Sequence, residues 1–156
     1  MFNSAMKKGF TLIELLVAIS IIGIISALLL ANFNSARERA RDAQRKSDLR
    51  NIQTALRLFY NDHNYYPTAS ADGKIHGCGR VQQGFADCEW GQVWSSDNRV
   101  IMTMLPADPL PDQSYSYVYD PNADSYTLTA CLENPSDEKG VENTDCPNDV
   151  MYQVRP

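Results

Sequence analysis

The sequence predicts an α+β protein in which one long N-terminal helix precedes a small head built on an antiparallel sheet. Three observations lead to this fold class. Residues 10–33 are mostly apolar and carry one charged side chain, no Gly or Pro interrupts residues 24–66, and segments that alternate apolar and polar residues come only later. A chain of 156 residues has room for one domain and an anchor.

The charge is divided along the chain in the same way. The whole sequence carries a net charge of −5, yet residues 34–57 hold seven basic and three acidic side chains, and residues 58–156 hold five basic and fifteen acidic ones. An acidic chain is not a strongly basic nucleic-acid module, so we expect no nucleic-acid partner. The division predicts a stem followed by a head.

The first element is the apolar segment over residues 10–33, in which Glu14 is the one charged residue. A bilayer core about 30 Å thick needs about 20 apolar residues in a helix, so this segment is long enough to span a membrane. A cleaved secretory signal and a plain anchor are the alternatives. A carboxylate near the start of a membrane helix is costly unless it is paired, which favours a functional role for Glu14.

The second element continues the helix over residues 34–63, and Pro67 ends it because the residue before a proline avoids helical angles. Small and then large apolar residues recur at spacings of three and four, which we interpret as one helix face. We expect the small residues to pack against other copies of the chain and the large ones to pack on its own head. The two sets are Ala36, Ala40, Ala43 and Ser47, then Leu49, Ile52, Leu56 and Phe59.

A run of charged residues lies near the start of this stem. We interpret it as a solvated helix face, with Glu38 and Asp42 flanked by Arg41 and Arg45, rather than as a nucleic-acid arm. Arginines next to a membrane segment can also contact anionic lipid headgroups.

The third element is the head, residues 64–156. Residues 114–119 and 125–132 alternate apolar and polar side chains, which predicts a β-hairpin with a five-residue loop over residues 120–124. Residues 98–105 fit either a short helix or a strand. We expect Trp90 and Trp94 to be packing residues.

All four cysteines, Cys78, Cys88, Cys131 and Cys146, lie in the head. Export across a membrane favours disulfides, and four cysteines allow three pairings. We favour the nearest neighbours, Cys78 with Cys88 and Cys131 with Cys146. A zinc site using His76 and Cys78 is disfavoured because no paired Cys-x-x-Cys accompanies it.

The remaining polar residues give one weak ligand hypothesis and no catalytic one. Asp120, Asn122 and Asp124 alternate like the start of a calcium loop, although the Gly and the distant Glu of such a loop are missing and Asp and Asn are common in turns. Calcium is therefore the one cofactor considered. His63 and His76 have no nucleophile pattern or phosphate loop beside them, so we do not expect an enzyme.

Residues 7–17 read Lys-Lys-Gly-Phe-Thr-Leu-Ile-Glu-Leu-Leu-Val, which resembles the signal of type IV pilins and type II secretion pseudopilins. The resemblance implies cleavage by a prepilin peptidase between Gly9 and Phe10, N-methylation of Phe10, and a role of Glu14 in subunit assembly. It divides the chain into a leader (1–9), a transmembrane helix half (10–33), an amphipathic stem (34–63) and a head (64–156). The head would comprise an αβ-loop, the hairpin and a disulfide-bounded C-terminal loop.

The resemblance further implies a type IV pilin-like fold and a structural subunit of a pilus-like filament. The implied partners are other copies of the chain in a helical filament, the prepilin peptidase, a membrane assembly platform with its ATPase, and membrane lipid. Leu105-Pro106-Ala107-Asp108-Pro109 resembles an element of major pseudopilins of type II secretion systems, which is the alternative function. A membrane-anchored binding module or adhesin without a filament is an alternative of another class.

The implied location is a single pass through the bacterial cytoplasmic membrane with the head outside, followed by an extracellular pilus or a periplasmic pseudopilus. Many family members carry a proline near the end of the apolar run, where this chain has Ala31. Because proline breaks a helix, its absence predicts an unbroken helix between Gly23 and Ala31.

Overall fold

The computed structural model describes residues 9–156, apart from the side chains of residues 28–32 and 81. The described residues form a 52-residue helix, nine strands and a short 3-10 helix over Val81–Gln83, which agrees with the α+β fold expected from the sequence. The helix is α1 (Leu12–His63). The strands are β1 (Thr68–Ala69), β2 (Ile75–Arg80), β3 (Gly84–Asp87), β4 (Trp94–Ser96), β5 (Arg99–Met102), β6 (Ser116–Asp120), β7 (Ser125–Cys131), β8 (Val141–Glu142) and β9 (Val150–Val154).

The chain divides into two compact units, Met1–Arg37 and Glu38–Pro156. In the first unit, the described part of α1 carries exposed apolar side chains on all sides, and α1 runs unbroken from Gly23 to Ala31, as expected. Among the residues searched, which are those the structure describes, no helical stretch is both long and apolar enough to cross a membrane. The predicted leader, residues 1–9, lies outside the described residues except for Gly9.

The second unit contains two sheets. The first has the order β1-β2-β4-β5 with β3 also paired to β2, and its one parallel pair joins β2 to β4 at Gly79 and Ser96. The second sheet is antiparallel, in the order β6-β7-β9-β8. The β6–β7 hairpin confirms the predicted strand pair, but Asp120 still pairs with Ser125, so its loop has four residues rather than five. Residues 99–102 form a strand. Of the two alternatives left open by the sequence for residues 98–105, a short helix or a strand, the structure shows the strand.

The core lies between α1 and the sheets. Leu49, Ile52, Leu56 and Phe59 are fully buried against residues from both sheets, as predicted for the large apolar set. Burying one such side chain contributes about 1.5–3 kcal/mol. Trp94 is also fully buried, and its indole N–H donates to the carbonyl of Gly77 at 3.0 Å. Trp90 is half-buried and packs edge-on against Tyr115.

The small residues of the stem do not share that buried face, so the interpretation of the small and large sets as one helix face is wrong. Ala40, Ala43 and Ser47 are exposed, whereas Leu49 is fully buried. Two residues correspond to about 200° around a helix, so Ser47 and Leu49 point to opposite sides.

The predicted solvated charged face is wrong as well. The buried face of α1 continues N-terminally from Leu49 through Arg45 and Asp42, which are 0% and 2% exposed. Their burial is possible because charged partners from the head surround them, as described below.

Two disulfides join parts of the head. Cys78 bonds to Cys88 and Cys131 bonds to Cys146, with Cα–Cα distances of 5.2 and 5.4 Å, and these are the pairs favoured from the sequence. The Cys78 sulfur is therefore not available to a zinc ion. His76 instead lies beside Asp87, with 2.7 Å between Nδ1 and Oδ1.

Candidate functional site

The predicted processing site lies just before α1. Gly9 and Phe10 are exposed and outside the helix, and a Cβ atom at Gly9 would meet no atom within 4 Å. A protease binds an exposed, non-helical segment more readily than a helix. The local structure is thus compatible with cleavage between Gly9 and Phe10.

Glu14 and Thr11 form a reciprocal cap at the start of α1. The backbone N–H and the hydroxyl of Thr11 donate to Glu14 Oε2 at 2.9 and 2.7 Å, and the N–H of Glu14 donates back to the Thr11 hydroxyl at 3.3 Å. This is the Thr-x-x-Glu capping box, a pattern readable from the sequence that the assignment of Glu14 to assembly overlooked. The carboxylate therefore has partners within its own chain.

A buried cluster of charges, centred on Arg45, joins α1 to two loops of the head. Arg45 makes a bidentate contact to Asp108 at 2.8 and 2.9 Å, and its Nη1 donates to Asp42 at 2.8 Å and to Glu133 at 2.7 Å. Burial alone would lower the pKa of Arg45, but hydrogen bonds to the three carboxylates raise the pKa above its ordinary value. Arg45 is therefore a buried cation.

The same cluster fixes the chain segment that follows β7. Asp42 accepts hydrogen bonds from the backbone N–H groups of Glu133 at 2.9 Å and Asn134 at 2.8 Å. Arg41 donates to Glu133 at 2.7 Å, and this contact lowers the pKa of the Glu133 carboxyl. Because the segment begins two residues after Cys131, the cluster positions the whole disulfide-bounded C-terminal loop on α1.

Two signals in the sequence mark members of this cluster, although neither shows that they meet. Arg45 and Asp42 lie four and seven residues before Leu49, which is the spacing of one helix face. Asp108 belongs to the segment Leu105–Pro109, which resembles an element of pseudopilins. The resemblance does not indicate which residue Asp108 contacts.

The structure also brings together three residues that the sequence analysis did not connect. His63 Nε2 lies 3.0 Å from the Ser96 hydroxyl, and its Nδ1 lies 3.9 Å from Asp97. Ser96 is only 2% exposed, so a substrate has no access to its hydroxyl. We therefore assign these contacts to holding the β4–β5 turn against the end of α1.

The side chains of two residues predicted as possible calcium ligands accept hydrogen bonds, including one from the backbone N–H of Tyr66 to Asp124 Oδ1 at 3.3 Å. Asp120 Oδ1 accepts from the N–H of Asn122 at 2.9 Å, and Asp124 Oδ1 accepts from the Tyr119 hydroxyl at 3.1 Å. In the part of the chain that the structure describes, no group of three or more His, Cys, Asp or Glu side chains could hold a metal ion. Calcium binding stays a prediction.

The outer face of α1 is the side opposite the buried one. It is uncharged, mostly exposed and spaced by three or four residues, and we define it by Ala40, Ala43, Ser47, Asn51, Thr54, Leu58 and Asn61. Exposed arginines, Arg39, Arg50 and Arg57, border it along one side. A face of this kind allows another helix or head to approach closely without burying charge.

Comparison with known proteins gives one family model and several relatives. The model of the prokaryotic N-terminal methylation motif matches residues 4–30. The type IV major pilin protein PilA of Myxococcus xanthus is 33% identical over 90 residues, which are 53% of this chain and 40% of the relative. No solved structure matches the chain significantly.

Relatives of two kinds are similar to this chain. The type IV wide pilus major component PilA4 of Thermus thermophilus is 41% identical over 64 residues, or 41% of this chain and 49% of the relative. The type II secretion system core protein G of Escherichia coli is 34% identical over 64 residues, or 41% of this chain and 44% of the relative. The chain thus spans less than half the length of these curated relatives.

Proposed function

We propose that this chain, which carries the prokaryotic N-terminal methylation motif and is similar to type IV pilins and type II secretion pseudopilins, is a structural subunit of a type IV pilus-like filament. The observation that carries the proposal is the Gly-Phe-Thr-Leu-Ile-Glu motif at residues 9–14, followed by the long apolar part of α1. The similarity to major pilins from two organisms supports it.

Processing is the first step of the proposed function. A prepilin peptidase cleaves after Gly9 and methylates the new amino terminus at Phe10. The exposed, non-helical conformation of both residues supports cleavage at this bond. Thr11 would then be the second residue of the mature chain and would still cap α1 through Glu14.

Assembly is the second step. The apolar segment of residues 10–33 holds the subunit in the cytoplasmic membrane with its head outside, where two disulfides are stable. A membrane platform with its ATPase then transfers the subunit into a helical filament built from non-closing contacts. There the Glu14 carboxylate neutralises the amine of Phe10 in a neighbouring copy, because opposite charges attract strongly in apolar surroundings.

The head and stem form the outer part of this filament. We assign the outer face of α1 to contacts with neighbouring copies, because it is uncharged and its residues from Ala40 to Ser47 are small. A bulky residue at Ala40, such as Ala40→Leu, is expected to impair assembly and to leave the unfolding of the head unchanged. Equal damage to both would contradict the assignment.

The second candidate function is that of a major pseudopilin in a type II secretion system. Asp108 of the Leu-Pro-Ala-Asp-Pro segment is buried on Arg45, so the feature shared with that class has a structural role in this chain. Similarity to the core protein G of several organisms supports this candidate. The filament would then be short and periplasmic rather than long and extracellular.

One experiment tests processing, assembly and filament type together. Filaments sheared from the bacterial surface are imaged by electron microscopy, and the first residues of their subunit are identified by mass spectrometry. We expect long filaments whose subunit begins with N-methylated Phe10. Filaments confined to the periplasm would favour the second candidate.

Two other results would contradict the proposal. One is an exported chain that still begins at Met1. The other is normal filament formation by Glu14→Gln, since a membrane-anchored adhesin would tolerate this change and a filament subunit would not.

A further inference from the structure

A polar cleft lies between the first part of the stem and the C-terminal loop. Arg39 and Lys46 of α1 line one side, and residues of the segment 134–139, among them Ser136 and Lys139, line the other. All of these residues belong to the second compact unit. The cleft has a volume of about 490 Å³, which lies within the range of about 300–1,000 Å³ that is usual for small-ligand sites.

The cations of this cleft still have hydrogen-bond donors to offer. Arg39 and Lys139 are exposed, and neither forms an ion pair with a carboxylate of a residue that the structure describes. Lys46 pairs with Asp137, which occupies one of the three donors of the Lys46 ammonium group. The positive charges are therefore only partly used within the chain.

The carboxylates of the cleft do not balance these cations. Asp137 is bound by Lys46 and also accepts from the backbone N–H of Lys139 at 2.9 Å. Glu138 is the second carboxylate of the lining, and it is exposed. Three cations and two carboxylates give the cleft a net charge of +1, in a chain whose net charge is −5. The cleft is therefore suited to an anion.

The kinds of donor in the cleft indicate which anion it accepts. A guanidinium group binds phosphate through two parallel hydrogen bonds, and an ammonium group binds it as a point charge. The Ser136 hydroxyl, which has no hydrogen-bond partner among the described residues, is a third donor. A phosphate group has enough acceptor oxygens for all three, whereas a carboxylate has only two.

The position of Arg39 in the sequence identifies one source of phosphate. Arg39 follows Phe33, the last residue of the apolar segment, by six residues. Basic residues that closely follow a membrane segment bind the headgroups of anionic phospholipids. Free phosphate presents the same chemistry and is the other source.

We propose that this cleft binds a phosphate group, supplied by an anionic phospholipid or by free phosphate, through Arg39, Lys139 and Ser136. The lipid source rests on the proposed function, because that function places residues 10–33 in the membrane. Lipid binding links the C-terminal loop to the membrane before the subunit is assembled.

Hydrogen–deuterium exchange of the amides in residues 134–139 tests the site in the full-length chain. In one arm the chain is placed in nanodiscs of phosphatidylcholine, alone or mixed equally with phosphatidylglycerol. In the other arm inorganic phosphate is added to the detergent-solubilised chain, with chloride at equal ionic strength as control. We expect exchange to slow by about tenfold when phosphate is at about ten times its dissociation constant, and phosphatidylglycerol to slow the same amides.

Variants separate a specific site from general attraction of anions. Arg39→Gln and Lys139→Gln are each expected to remove most of the slowing. Arg57→Gln is the matched control and is expected to keep it, since Arg57 is an exposed arginine of the same helix outside the cleft. Glu138→Gln removes a carboxylate from the lining and is expected to tighten binding. Melting temperatures without ligand show whether each variant is folded, and if Arg39→Gln or Lys139→Gln is destabilised, the other decides.

Every result bears on the proposal. Slowing with phosphatidylglycerol only identifies lipid as the source, and slowing with inorganic phosphate, alone or as well, shows that free phosphate also binds. No slowing in either arm would overturn the site, as would slowing that Arg39→Gln and Lys139→Gln leave unchanged or that Arg57→Gln removes equally. Neither arm requires filaments, so failure of the site is distinguishable from failure of the proposed filament function.

Discussion

The buried face of α1 has two parts that hold the head by different physical means. From Leu49 to Phe59 the contact is apolar, and from Asp42 to Arg45 it is a cluster of charges. Apolar contacts are non-directional, so they stabilise any arrangement that removes the same area from water. The charged contacts have fixed geometry, because each carboxylate must lie where an N–H group of arginine or backbone points.

The two parts of the buried face differ in what they contribute: one contributes free energy of folding, and the other fixes the positions of loops in the head. A buried ion cluster is a poor source of net free energy, since removing charges from water costs about as much as their attraction returns. What the Arg45 cluster adds is the location of two loops, those containing Asp108 and Glu133, relative to the helix. We infer that the apolar part folds the head and the charged part sets the positions of its loops.

Replacing Arg45 by methionine is the strongest test of the charged part. Arg45→Met leaves three carboxylates without their shared cation, and breaking a buried ion pair from one side costs about 3–5 kcal/mol of unfolding free energy. Urea unfolding of the detergent-solubilised chain, followed by tryptophan fluorescence, measures the loss. Arg50→Met is the control, since Arg50 is an exposed arginine of the same helix. A loss below about 1 kcal/mol would show that the cluster does not depend on its cation.

Replacing Leu56 by alanine tests the apolar part. Leu56→Ala opens a cavity under a fully buried side chain, and such changes cost about 2–5 kcal/mol of unfolding free energy. Thr54→Ala on the exposed side is expected to change the same urea transition by less than about 0.5 kcal/mol. We expect Leu56→Ala to lower stability but to leave the C-terminal loop protected from proteolysis, whereas Arg45→Met should expose that loop. This result would support separate roles of the two parts.

The sequence predicted the apolar part and misread the charged part for a definite reason. Leu49, Ile52, Leu56 and Phe59 carry the helical period in their own hydrophobicity, so their burial follows from the pattern alone. Asp42 and Arg45 occupy the same face, but their burial depends on partners 63 to 92 residues away in the chain. No local pattern shows that Asp108 and Glu133 return to this point. The N-terminal motif was readable because its residues are contiguous.

Removing the second disulfide tests whether the loop depends on the cluster or on the covalent bond. Cys131 and Cys146 are separated by 15 residues, and a bridge over such a loop contributes about 3 kcal/mol on the chain-entropy model. We expect the double variant Cys131→Ser, Cys146→Ser to lose about 3 kcal/mol of unfolding free energy. Combined with Arg45→Met, the loss of unfolding free energy should differ from the sum, because both act on one segment. Strict additivity would contradict a joint role.

The last and smallest effect concerns pH at the border of the two parts, where Asp48 accepts a hydrogen bond from the Tyr115 hydroxyl at 2.8 Å. Burial raises the pKa of Asp48, whereas the contact with Arg41 lowers the pKa of Glu133. The folded chain therefore holds the Asp48 proton to higher pH than the unfolded chain, and the contribution of Asp48 to stability falls as the pH rises between its unfolded and folded pKa values.

Glu133 has the opposite sign, since its contribution is present above the unfolded pKa and is lost as the pH falls through the lower folded pKa. Asp48→Asn should match the unaltered chain at pH 3 and exceed its unfolding free energy at pH 7 by less than about 1 kcal/mol. Glu133→Gln should instead lose stability at pH 7 and little at pH 3. Urea titrations at both pH values measure the two differences. If both variants change the unfolding free energy at pH 7 in the same direction, the distinction is wrong between Asp48, whose charged form is destabilised by burial, and Glu133, whose charged form is stabilised by arginines.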